Sequence, residues 1–174
     1  MIKILSGTII VLSTLALIIL GLGIRAGSKI DAELLVRLPY SQDYVYSIFT
    51  DIAEYPNRKR NLDNIEVLEM TGSNIVRWRE NYSNGSWREY EVIGKRSPVI
   101  FDYELYDSSN GHTAEITTTF EQVDEFTEII MTERGDIQNA FMRGLRFVSG
   151  EDSFLRGKSK WLRVSILDEQ LSRR

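Results

Sequence analysis

Cysteine is absent from the 174 residues, and histidine occurs once, as His112. The lack of thiols excludes disulfides, thiolate metal sites and cysteine nucleophiles, but it says nothing about the redox compartment. His112 follows the letters DSSNG, which are typical of a hairpin loop, so we expect a solvated histidine and no serine–histidine relay. Metal-ligand clusters, phosphate loops and nucleotide fingerprints are also missing, and we therefore expect no metal, no cofactor and no catalytic residue that can be named.

Charged residues are missing from Ile4 to Ile24. A helix of these 21 residues, mostly Ile, Leu and Val, would be ~31 Å long, about the thickness of a bilayer hydrocarbon core. A cleavable signal peptide is the alternative, but its apolar region is usually only ~7–15 residues long and is followed by small residues. Here Ile24 and Arg25 stand at that place. The sequence therefore favours an uncleaved single-pass anchor with its linker at 1–29, followed by a domain at 30–174.

Basic residues flank the apolar run on both sides, with Lys3 before it and Arg25 and Lys29 after it. The positive-inside bias is therefore weak, and the side of the membrane stays unassigned. Only residues 26–30 separate the run from the first predicted strand, and five residues span at most ~18 Å. The domain is expected to lie on the bilayer surface.

The charge of the domain is uneven along the chain. Residues 30–133 carry a net charge of −11 and residues 134–174 a net charge of +4. The acidic part argues against a nucleic-acid partner. The basic part is interpreted as the solvated face of a helix, with contact to the acidic body or to anionic lipid as the alternative.

Strand-like runs separated by turn residues occupy the middle of the chain. After a first strand at 31–38, they lie at 64–70, 75–82, 87–94, 99–106, 113–123 and 126–133. Connections this short force neighbouring strands to be antiparallel. The pattern predicts a meander whose alternate residues line a curved inner face that is apolar, rich in aromatic residues and dotted with polar groups.

Helices are predicted on either side of this meander. Ser41 is placed to cap a short helix with Asp43 in its first turn, and apolar residues recur through it at helical spacing. The segment 137–174 has helical character in two pieces, the second at 153–171 with Ser153 as its cap. The apolar stripe of that last helix is expected to cover the concave face of the sheet.

Four segments resemble the polyketide cyclase/START-like (SRPBCC) superfamily: AELLVRLPYSQDYVYSIFTDIAEYP, NIEVLE, TEIIMTERGD and FLRGKSKWLRVSILDEQL. The resemblance covers about 31–171 and implies an α+β helix-grip fold, in which a curved antiparallel seven-strand sheet wraps around a long C-terminal helix. One position departs from the pattern, because Arg58 stands where many relatives have tryptophan two residues after the proline. We interpret its segment, NRKR, as a solvated loop.

The resemblance also implies a cavity between the sheet and the last helix, for a lipid or another hydrophobic molecule. Solid core is an equally good interpretation of each candidate lining residue, which are Trp78, Glu80, Tyr82, Phe101, Tyr103, Ile116, Phe120, Ile129, Met131, Phe154 and Trp161. Glu80 is the most informative candidate, because alternation places its carboxylate on the inner face, where burial raises the pKa unless a basic residue such as Arg88 pairs with it. Glu133 is a second inner carboxylate.

Three functions follow from these expectations. The preferred one is membrane-tethered binding or carriage of a hydrophobic small molecule or lipid, with the bilayer as the other partner. The second is a cyclase- or dehydratase-type enzyme that works with carboxylates and tyrosines alone. The third is a structural or assembly factor that uses only the surface of the fold.

Overall fold

The computed structural model describes residues 2–59 and 61–172, and it contains seven strands and five α-helices. The strands are β1 (Lys29–Leu38), β2 (Leu62–Thr71), β3 (Asn74–Tyr82), β4 (Trp87–Arg96), β5 (Ile100–Ser108), β6 (His112–Val123) and β7 (Phe126–Ile137). The helices are α1 (Ile2–Arg25), α2 (Gln42–Thr50), α3 (Tyr55–Arg58), α4 (Ala140–Ser149) and α5 (Ser153–Ser172), with one 3₁₀ turn at Ile52–Glu54.

All seven strands form one antiparallel sheet in the order β1-β7-β6-β5-β4-β3-β2. Strands β2 to β7 follow each other as a meander through tight turns, such as the one at Gly85, whose φ of 79° suits glycine. β1 then pairs with β7 at the far edge. The predicted α+β helix-grip fold is confirmed, with strands one to four residues longer than the sequence pattern indicated.

The core lies between the concave face of the sheet and helices α2 and α5. Alternation along β5 is clear, since Phe101, Tyr103 and Leu105 are buried and Glu104 between them is exposed. From α5, three fully buried apolar side chains face the sheet, namely Leu155, Leu162 and Ile166. Apolar burial of this kind contributes about 25 cal/mol per Å² and is the main term that holds the layers together.

Helix ends differ from the sequence expectations in two places. Ser41 occupies the N-cap position of α2, but its side chain makes no capping hydrogen bond. Ser153 is the first residue of α5 and not its cap. The piece predicted from residue 137 begins as a helix only at Ala140, where Asn139 Oδ1 accepts a hydrogen bond from the Met142 amide at 3.1 Å.

Helix α1 packs against α4 at its carboxyl end. A Cβ on Gly23 would lie 1.6 Å from the Ala140 carbonyl oxygen, and one on Gly144 would lie 1.9 Å from the Ile19 carbonyl oxygen. Arg143 Nε donates to the Gly23 carbonyl oxygen at 2.8 Å. Among the described residues, α1 is the one helix long and apolar enough to cross a membrane, judged by length and composition over Thr8–Arg25.

Candidate functional site

A cavity of about 280 Å³ lies between strands β3 and β4 and the first half of α5. Helix α5 brings five residues to its wall, namely Ser153, Phe154, Gly157, Lys158 and Trp161. The strands contribute Glu80 and Tyr82 from β3 and Arg88 and Tyr90 from β4, and Lys59 completes the lining. The antiparallel register places Glu80 directly opposite Arg88.

Glu80 is fully buried and both of its carboxylate oxygens are hydrogen-bonded. Lys59 Nζ donates to Oε1 at 2.6 Å, and the Tyr82 hydroxyl donates to Oε2. Burial alone would raise the pKa of Glu80, but the charges of Lys59 and Lys158 and these two hydrogen bonds outweigh it and lower the pKa to about 2. The carboxylate is therefore ionised at neutral pH, and its ion-pair partner is Lys59 and not Arg88.

The expectation of a solvated NRKR loop is wrong for Arg58 and Lys59, whereas Arg60 lies outside the described residues. The Arg58 side chain is 16% exposed and donates to Asp51 Oδ2 at 3.3 Å. The Lys59 side chain is 15% exposed, and its ammonium group lies 4.0 Å from the centre of the Tyr55 ring. A buried carboxylate needs a compensating charge, so the inner-face position of Glu80 was the signal that a nearby cation turns inward.

Lys158 and Arg88 are the other two cations of the cavity. Lys158 Nζ lies 4.9, 4.7 and 5.3 Å from the ring centres of Tyr90, Tyr103 and Phe154. Burial lowers the pKa of Lys158 to about 7, helped by the charges of Lys59 and Arg88 and opposed by that of Glu80. The Arg88 guanidinium lies 5.3 Å from the ring centres of both Tyr82 and Phe154.

Two further donors of the lining have no hydrogen-bond partner among the described residues, the Tyr90 hydroxyl and Trp161 Nε1. Both atoms are removed from solvent, where an unpaired donor is costly. The cavity therefore combines aromatic walls with a surplus of positive charge and of hydrogen-bond donors.

The predicted lining residues divide into three groups. Glu80, Tyr82, Phe154 and Trp161 line the cavity, and Phe101 lines a separate space of about 230 Å³ near the end of α2. The remaining six are fully buried in the core: Trp78, Tyr103, Ile116, Phe120, Ile129 and Met131. Their contact with a ligand stays a prediction. The predicted lining did not include Lys59, Arg88 or Lys158, although Arg88 was considered as a partner of Glu80 and Lys158 has helical spacing with Phe154 and Trp161.

A second buried ionic cluster surrounds Glu133, which is fully buried on β7. It accepts hydrogen bonds from His112 Nε2 at 2.9 Å and from Arg146 Nη1 and Nη2 at 3.1 and 2.9 Å. Burial would raise the pKa of Glu133, but these hydrogen bonds and the Arg146 charge lower it. The expected solvated His112 is therefore wrong. Its side chain is 6% exposed, because the loop ends at Gly111 and His112 shares the inner face of β6 with Ala114.

A second cavity of about 190 Å³ adjoins the first. The two share Arg88, Ser153 and Phe154, and the second one extends past His112 to Met142 and Leu145 of α4. The space beside α5 therefore reaches the helix that packs on α1.

No protein-family model matches the sequence, and a search of curated proteins finds no match. Solved structures do match. A START superfamily protein from Mycobacterium smegmatis aligns with a TM-score of 0.61 at 14% identity, over 79% of this chain and 98% of that one. A conserved protein from Geobacillus kaustophilus gives 0.66 at 14% identity over 80% and 96%. The di-domain ARO/CYC protein BexL gives 0.62 at 12% identity over 83% and 51%. At these identities the similarity establishes the helix-grip fold.

Proposed function

We propose that this chain binds or carries a hydrophobic small molecule or lipid in the cavity between the sheet and α5, while α1 anchors it in a membrane. The observation that carries the proposal is the cavity of about 280 Å³ with aromatic walls beside a second of about 190 Å³. The first is close to the lower end of the ~300–1,000 Å³ usual for ligand pockets. Burial of an alkyl chain there would gain ~0.8 kcal/mol per CH₂ group.

Two helices support a position at the bilayer. Helix α1 offers an apolar segment over Thr8–Arg25 whose side chains are mostly exposed, as a lipid-facing helix requires. Helix α4 lies against its carboxyl end and exposes four large apolar residues, namely Phe141, Leu145, Phe147 and Val148. An exposed apolar helix beside a membrane span is typical of an interfacial helix. A lipid-like ligand could then pass between bilayer and cavity with little exposure to water.

Photochemical labelling of the full-length chain in liposomes tests the proposal. The probes are a fatty acid and a fatty alcohol that each carry a diazirine, and mass spectrometry locates the labelled peptides. We expect label on the Phe154–Trp161 segment. Gly157 lines the cavity, and a Cβ there meets no atom within 4 Å, so Gly157→Phe should fill the space and remove that label.

The matched control is Lys160→Phe, which adds the same ring on the exposed side of α5. It should leave the labelling of the Phe154–Trp161 segment unchanged. Label restricted to α1 and insensitive to Gly157→Phe would refute a ligand-binding cavity and favour a role of the surface alone.

One observation favours an enzyme as the second candidate. The pKa of Lys158 is lowered to about 7, which makes this half-buried amine a competent nucleophile or base at neutral pH. Reductive trapping with an aryl aldehyde at pH 7.5 measures this reactivity. If Lys158 is modified no faster than the exposed Lys160, the catalytic alternative loses its support.

A further inference from the structure

The charges that face the cavity of about 280 Å³ do not balance. Lys59, Arg88 and Lys158 line it together with one carboxylate, Glu80. Both Glu80 oxygens are already used, one by Lys59 and the other by Tyr82. Arg88 and Lys158 have no carboxylate within ion-pair distance in the described part of the chain. Arg88 Nη1 donates one hydrogen bond to the Tyr82 hydroxyl at 3.4 Å, and both cations contact aromatic rings.

Two half-buried cations are costly without a counter-ion, since cation–π contacts compensate only part of the lost hydration. Both cations approach the same ring, because Arg88 Cζ and Lys158 Nζ each lie 5.3 Å from the centre of Phe154. The two positive groups therefore flank one place in the cavity wall.

The neutral polar atoms of the cavity also require a ligand group that accepts hydrogen bonds. The Tyr90 hydroxyl and Trp161 Nε1 are buried without a hydrogen-bond partner among the described residues, and both side chains line the cavity. The indole nitrogen can only donate, and the phenol is a donor at neutral pH. A ligand group with several acceptor oxygens would satisfy both donors and both cations at once.

We infer that the ligand carries an anionic oxygen group, a carboxylate or a phosphate, which binds between Arg88 and Lys158 while its apolar body lies against the aromatic wall. This inference rests on the proposed function and adds the chemical class of the ligand. Arginine suits either anion, because its planar donors match two oxygens at once.

The test uses the full-length chain in nanodiscs of zwitterionic phosphatidylcholine, with empty nanodiscs as the blank. Isothermal titration calorimetry compares hexanoate, hexyl phosphate, hexanol and inorganic phosphate. We expect at least one of the two anionic amphiphiles to bind about tenfold or more tightly than hexanol, as charge-assisted hydrogen bonds imply. The stronger of the two identifies the anion.

Two variants locate the anion. Lys158→Met and Arg88→Gln should each weaken the binding of the anionic amphiphile about tenfold or more and leave the binding of hexanol unchanged. Lys160→Gln, on the exposed side of the same helix, is the matched control. Thermal unfolding verifies that each variant is folded. If Arg88→Gln does not fold, the result for Lys158→Met decides the test.

Each remaining outcome separates the two proposals. Equal binding of hexanol and the anions, unaffected by the variants, would overturn the anionic class and leave the hydrophobic ligand in place. If inorganic phosphate binds as tightly as hexyl phosphate, the anion site is supported, but the apolar part of the ligand contributes nothing to binding. If none of the four binds, both proposals fail.

Discussion

At the scale of single residues, the stability of the domain depends on how the buried charge of Glu80 is compensated. Its carboxylate is fully buried, and the Lys59 ammonium group lies 2.6 Å from one oxygen. Loss of either partner leaves the other charge buried without compensation, which is far more costly than the pair itself is favourable. The pair is therefore a sensitive point for both stability and site geometry.

We predict that Glu80→Gln lowers the free energy of unfolding by about 3 kcal/mol, because it removes one partner of a buried ion pair. Urea denaturation at pH 7 measures the change. The control is Glu66→Gln, whose carboxylate forms an exposed pair with Arg79 at 3.5 Å and should matter little. Unchanged stability together with unchanged ligand binding would remove Glu80 from the site.

The same carboxylate predicts how the protein responds to acid. The pKa of Glu80 falls from an ordinary 4.5 to about 2 in the folded state, so its contribution is complete above pH 4.5 and is lost as the pH falls towards 2. Unfolding free energies of the wild type should decline over that window. Glu80→Gln should decline less steeply there, and parallel curves would contradict the prediction.

The linkage of Lys158 has the same sign as that of Glu80 but acts at higher pH, and here it is the charged form that destabilises the fold. Its pKa is lowered from 10.5 to about 7, so between these values the unfolded chain binds more protons than the folded one, and stability rises with pH. We predict that Lys158→Met stabilises the protein most at pH 6 and that the gain shrinks towards pH 10. Thermal unfolding of both proteins from pH 6 to pH 10 measures this. A gain independent of pH would mean that Lys158 is not desolvated.

Sequence periodicity predicted the buried carboxylate of this polar site and missed the cation that pairs with it. Glu80 was placed inside because alternation along a strand assigns its face. Lys59 was missed because it follows a single helical turn, where no period indicates direction. His112 was assigned to solvent from the turn letters before it, although its parity with Ala114 and Ile116 places it inside. Turn composition locates a loop, but the next strand determines where its first side chain points.

At the scale of elements, the contact between α1 and α4 depends on two glycines. We predict that Gly23→Ala separates the helices, because the new methyl group would overlap the Ala140 carbonyl oxygen at 1.6 Å. Hydrogen exchange of the Ala140–Ser149 amides in the full-length chain should accelerate. Gly21→Ala is the matched control, since a Cβ at Gly21 meets no atom within 4 Å. Equal exchange in both variants would show that the helices do not depend on this contact.

Strands were predicted more fully than this helix pair, for a physical reason. Alternation and turn residues are local signals, so all seven strands were found, and only their ends differ. β7 continues to Ile137 because Lys29 and His112 pair with its last residues, which no local pattern records. The packing of Gly23 on α4 joins positions far apart in the chain, and neither glycine lies in a recognisable motif.

At the scale of the whole molecule, the proposed membrane anchoring places α1 and α4 on the side that faces lipid. We predict that the tryptophan of Phe147→Trp is quenched by brominated lipids, because Phe147 is 63% exposed on α4, the helix that packs against α1. Fluorescence of the full-length chain in liposomes measures quenching above the wild-type background of three tryptophans. Val67→Trp, at an exposed site on β2, is the control. Equal quenching at both sites would contradict the orientation.

Phe154 lines both cavities, together with Arg88 and Ser153, and the centre of its ring lies 5.3 Å from that of His112. A ligand that passes between the first cavity and the second, which extends to α4, moves along a wall that this ring forms. Rotamer changes are fast compared with the opening of a domain. We therefore expect a rotamer change of Phe154 to control the passage of a ligand between the membrane and the cavity, while the sheet and α5 stay closed.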